Sequence, residues 1–66
     1  MIPPGTLLVG KDEFEFQPHQ ELGMILRGSP ESDPFGSSYL YRILYVDGST
    51  GCEYEPYVRN YYEVCE

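Results

Sequence analysis

Tyrosine is the side chain this sequence offers most freely for chemistry. Seven occur among 66 residues, at positions Tyr39, Tyr41, Tyr45, Tyr54, Tyr57, Tyr61 and Tyr62. A phenol combines a large rigid ring with one hydroxyl that needs a partner when buried. So short a chain cannot bury seven of them, and at a surface such rings give contact area at low entropic cost. Tyr54, Tyr57, Tyr61 and Tyr62 gather near the chain end and form a candidate partner-binding patch. Phe14 and Phe16, interleaved with Glu13 and Glu15 and flanked by Asp12 and Glu21, extend it with a stretch suited to a basic, partly apolar partner. The competing reading folds these rings inward, to complete a core that has no tryptophan.

Other chemistries have weaker footing. Glu53 and Glu55 fall on one strand face, but paired carboxylates do acid–base work only in a pocket. Domains this small rarely enclose a ligand cavity of several hundred Å³. The expectation is a non-enzyme with no catalytic residue. Cys52, Cys65 and His19 show neither Cys-x-x-Cys nor His-x-x-x-His spacing, so no metal site is expected. The glycines at 23, 28, 36, 48 and 51 serve bends and form no phosphate-binding loop, so no cofactor is expected either.

The elements that must position these side chains are few. A chain of 66 residues makes one domain, spanning 1–66, and buries only about 60% of its unfolded surface. Association with a partner is the remedy its composition leaves most open. Eleven Asp/Glu against four Lys/Arg give a net charge of -7, which repels phosphate backbones and argues against direct nucleic-acid binding. MIPPGTLLVG has no basic segment ahead of an apolar run, so the sequence predicts no signal peptide and no membrane span. The product is expected in the cytoplasm at synthesis, with both cysteines as reduced thiols.

Five short strands are predicted. Thr6–Gly10 is the first, with Leu7 and Val9 on one face and Leu8 on the other. A polar loop over Lys11–Glu21 follows, with Phe14 and Phe16 half-buried. Leu22–Arg27 is the second strand; Leu22, Met24 and Leu26 share a face, and Gly23 marks a kink or bulge. Gly28–Ser38, with Pro30, Pro34 and Gly36, reads as turn from end to end. Tyr39–Val46 is the third strand, placing Tyr41, Ile43 and Tyr45 on one face and Leu40, Arg42, Leu44 and Val46 on the other. Asp47-Gly48-Ser49 turns into a fourth strand over Thr50–Glu55, Pro56 opens a single helical or 3₁₀ turn, and Tyr61–Val64 is the fifth strand.

That order, a long loop after the first strand, a central hairpin and one helical turn before the last strand, is the order of the small five-stranded SH3-like β-barrel, an all-β fold. Within it, LGMILR, YRILYVDG and EYEPYVRNYYEV resemble the short SH3-like proteins of tailed bacteriophages, with Tyr45 where those commonly carry tryptophan. The resemblance implies a small structural or accessory component of a bacteriophage virion. It would act as a protein–protein interaction module on a larger phage structural protein, and its localisation would follow from cytoplasm to virion. Oligomeric state stays open. An alternative is an acidic protein that mimics nucleic-acid phosphates and occupies the basic groove of a host nucleic-acid enzyme. Proline-peptide recognition of the signalling type is a weaker expectation, because the ALYDY-type motif is absent.

Overall fold

The computed structural model describes residues 1–33 and 36–65. The chain folds into strands β1 (Leu7–Gly10), β2 (Leu22–Asp33), β3 (Gly36–Tyr45), β4 (Thr50–Tyr54) and β5 (Tyr62–Cys65), with helix α1 (Glu55–Tyr61) before the last. A 3₁₀ turn, Pro18–Gln20, sits in the long loop after β1. All strand pairs are antiparallel in one sheet of order β4-β3-β2-β1-β5. Among the described residues no backbone ladder joins β4 to β5; α1 spans the gap between these two edge strands.

The core forms on one face of this curved sheet. Tyr41, Ile43 and Tyr45 alternate inward along β3 and meet Ile25 of β2, Leu8 of β1, Tyr62 of β5 and Val58 of α1. The third strand's inward set is the one its period-two pattern predicts. On β1 the single inward residue is Leu8, while Leu7 and Val9 face out.

Strand β2 departs from expectation. Leu22 and Met24 do share a face, the outer one, and the strand's core residue is Ile25; the departure lies in the bulge. The irregularity falls between Ile25 and Arg27, not at Gly23, which pairs regularly with Tyr45. Regular alternation would put Arg27 on Ile25's face; the extra residue, Leu26, turns it outward opposite Arg42. Gly23 has a different duty, since a Cβ there would stand 2.8 Å from Ile43. The bulge also sets Gly28 opposite Tyr41, whose ring lies where a side chain would be, 2.6 Å from that position.

The segment 28–38 is not turn from end to end. Its described residues continue β2 and β3 as a ladder in which Ser29 pairs with Leu40, Pro30 with Tyr39 and Glu31 with Ser38. Proline is admitted because β1 pairs with β2 only as far as Met24, which leaves a two-stranded ribbon with an open edge. Pro34 lies outside the described residues.

The second turn behaves as expected. Tyr45 N–H donates to Ser49 O at 2.9 Å and Gly48 N–H to Tyr45 O at 3.0 Å. Gly48 adopts φ 87°, and Asp47 Oδ1 accepts from Ser49 N–H at 2.9 Å. This is a turn closed by a left-handed residue, which fits the twist of a hairpin. The helix runs a residue longer than the predicted turn. It begins at Glu55, so Glu55 stands in its first turn and does not share a strand face with Glu53.

A helix of seven residues has little stability of its own and depends on tertiary contacts. Val58 is fully buried beneath it. The Tyr41 hydroxyl donates to Glu55 Oε1 and accepts the Ile2 N–H at 2.8 Å. Ile2 is itself fully buried. Replacing Tyr41 by Phe leaves both partners unmatched, and should lower unfolding free energy by about 1–3 kcal/mol. Urea denaturation of the two proteins measures the difference; equal stability would remove the hydroxyl from the account.

Candidate functional site: an aromatic groove

A groove of about 260 Å³ opens between the long loop and α1. Phe14, Glu15 and Phe16 form one wall, Tyr57 and Tyr61 the other, and Tyr45, Tyr62 and Glu53 lie below and to the side. Helical spacing explains the second wall. Tyr57 and Tyr61 are four residues apart, so they share a face of α1, while Val58 turns toward the core. Their rings stack with centroids 6.4 Å apart and planes 6° from parallel.

The loop wall is held by ring contacts. Phe14 meets Tyr61 edge-on at 4.7 Å, and Phe16 lies 5.2 Å from Tyr62. Phe16 also covers Gly10, where a Cβ would come within 2.8 Å of its ring. Backbone bonds fix the ends of the loop: Lys11 N–H donates to Tyr61 O at 3.0 Å, and Gly10 N–H to Glu21 O at 2.7 Å. Lys11 Nζ adds a bond to Arg59 O at 3.2 Å. Both phenylalanines are therefore half-buried.

Of the six sequence-predicted site residues, Phe14, Phe16, Tyr57, Tyr61 and Tyr62 come together here. Tyr54 does not. It pairs with Leu40 on β3, whereas its neighbour Glu53 pairs with the inward-facing Tyr41, so alternation puts Tyr54 on the opposite face of the sheet. Tyr62 is largely buried and belongs to the floor. Four residues lining the groove, Glu15, Gln20, Tyr45 and Glu53, were not in the predicted set. Tyr45 was placed in the core by its alternation with Tyr41 and Ile43, and it reaches the groove only because β3 ends there. Glu53 faces the groove from the edge strand.

The electrostatics suit contact more than proton transfer. Burial pushes the Tyr62 phenol far above its ordinary range, and Tyr45 and Glu53 add to the effect. Burial raises Tyr45 as well, partly offset by the neighbouring Tyr62 hydroxyl. Burial also raises the Glu53 carboxyl. Tyr62 donates its hydroxyl proton to Gln20 O at 2.9 Å. Near neutral pH both floor phenols are thus protonated, and the groove presents aromatic walls with Glu15 and Glu53 at its side.

Among the described residues no group of three or more His, Cys, Asp or Glu side chains stands close enough to hold a metal ion. Cys52 and Cys65 are exposed, unbridged thiols on the two edge strands. No helix among the described residues is long and apolar enough to cross a membrane.

A phenol raised in the fold keeps its proton over a pH range in which the unfolded chain has lost it. The stability it supports is complete below pH 10 and falls as pH climbs. For Tyr41, burial first and the Glu55 hydrogen bond second push the value up to about 12. Unfolding free energy should decline from about pH 10 upward, and Tyr62→Phe should flatten that decline. Chemical denaturation at a series of alkaline pH values measures the slope; identical slopes for wild type and variant would contradict the assignment. The sequence matches no protein-family model, and no curated protein or solved structure is significantly similar to it.

Proposed function

We propose that this chain is a non-catalytic interaction module of SH3-like barrel architecture, and that its aromatic groove grips an extended segment of a larger protein. The single observation that carries the reading is the groove itself, a depression of about 260 Å³ in which exposed Tyr57 and Tyr61 stand beside Phe14 and Phe16, with Phe14 packed edge-on against Tyr61. Stacked rings held by a helix and a tethered loop lose little entropy on binding, which makes them effective anchors. Glu15 and Glu53 beside them favour a segment carrying Lys or Arg, since a cation gains from both the carboxylates and the ring faces.

The barrel reading is supported by element order. Five antiparallel strands, a long loop after the first and a short helix between the two edge strands follow the sequence of elements expected of that fold. The larger protein is proposed to be a structural component of a bacteriophage particle, on the strength of the sequence resemblance alone. Phosphate mimicry gains less support, because the carboxylates nearest the groove stand among aromatic rings.

Peptides of this chain should be found by mass spectrometry in purified virions; their absence would remove the virion role. Against the partner so identified, Tyr57→Ala and Phe14→Ala should each weaken binding about tenfold or more without unfolding the domain. Affinity that ignores both substitutions, yet collapses between low and moderate salt, would instead favour mimicry.

A further inference from the structure

We infer that the outer face of the sheet is a self-association surface that takes a second copy of this chain. This surface is separate from the aromatic groove and does not depend on the reading given to it. Cross-strand register lines up Leu7 and Val9 of β1, Leu22 and Met24 of β2 and Leu44 of β3 on that face, and Val46, just past the end of β3, lines the same depression. They border a shallow depression of about 290 Å³. Leu7 is 56% exposed, Leu22 50% and Val46 64%, in a chain whose other faces carry most of a net charge of -7. So concentrated an apolar patch on a small acidic protein calls for a cover.

Charge placement selects the occupant. Glu63 pairs with Val9 and stands at one border of the patch, on the β5 side. Arg27 and Arg42 stand directly opposite each other at another border, one pleat beyond Met24 and Leu44. Glu31 shares their depression from farther along β2 and offsets one of the two charges, and an incoming carboxylate would relieve the other. At about 4.8 Å per strand and about 3.4 Å per residue, Glu63 and Arg42 both lie roughly 10 Å from the patch centre. Equal distance lets one two-fold axis lying in the interface bring Glu63 of each copy onto Arg42 of the other. An isologous dimer makes every such contact twice. A second copy therefore supplies both the apolar cover and the carboxylate.

Sedimentation velocity on the full chain, across a concentration series at physiological salt, tests this. A dimer with a dissociation constant between about 1 µM and 1 mM is expected. Val46→Glu and Leu7→Glu, both at exposed positions that leave the core intact, should give monomers with the wild-type circular-dichroism spectrum. Glu63→Arg or Arg42→Glu alone should weaken the dimer about fivefold, and the two together should restore it. A wild-type chain that stays monomeric up to about 1 mM overturns the proposal and leaves the face to some other occupant. A dimer that survives Val46→Glu and Leu7→Glu, or a double reversal that fails to regain what each single reversal loses, overturns it as well.

Discussion

The hydroxyl of Tyr41 is the polar contact on which this fold turns. It is a buried group in a core of eight residues, and it joins three stretches of chain that share no strand pairing with one another at that point. It accepts the Ile2 N–H and so draws the N-terminal arm over the core. Its proton goes to Glu55, which anchors the first turn of α1. Its ring needs Gly28 opposite, and Gly28 reaches that register only because Leu26 bulges out of β2. A small domain has few apolar contacts to spare, so one well-satisfied buried phenol carries a large share of the specificity.

The shape of the groove follows from the same contact at one remove. With Glu55 and Val58 fixed, α1 has one rotational setting, and Tyr57 and Tyr61 must face the loop after β1. The loop meets them through Phe14 and is tied to the helix's last turn through Lys11. The groove is thus built on a short helix and a tethered loop, two elements of which neither would hold its shape alone. The outer face is set independently, by the plain alternation of β1, β2 and β3. The bulge links the two surfaces, since it sends Arg27 outward while admitting Tyr41 inward.

Much of this was legible from residue pattern. Alternating Tyr41, Ile43 and Tyr45 identify a strand and its buried side, Asp47-Gly48 identifies the turn, and Pro56 marks the helix start. Phe14 and Phe16 in an acidic loop, with tyrosines near the chain end, were enough to name six residues of which five come together in the groove. The misses have physical causes. Pro30 read as a breaker, and Gly28 as the start of a turn, because local propensity takes no account of an open ribbon edge or of a ring that needs a glycine beneath it. A single-residue bulge is invisible to period counting, so the irregularity was expected at Gly23 and Leu26 was counted with Leu22 and Met24. Ile2 gives no local signal, because the core that buries it and the hydroxyl that accepts its N–H lie far along the chain, the latter 39 positions away. Tyr54 was grouped with its neighbours by sequence proximity, whereas strand alternation sends it to the other side.

Amide hydrogen exchange at Ile2 tests the central contact most directly. An N–H that lies outside every strand and helix, as that of Ile2 does, ordinarily exchanges freely. If the Tyr41 hydroxyl holds it, the Ile2 amide will be protected to a degree comparable with amides of β3, and that protection will vanish in Tyr41→Phe. Exchange at the rate of an unstructured peptide in the wild-type protein would contradict the account.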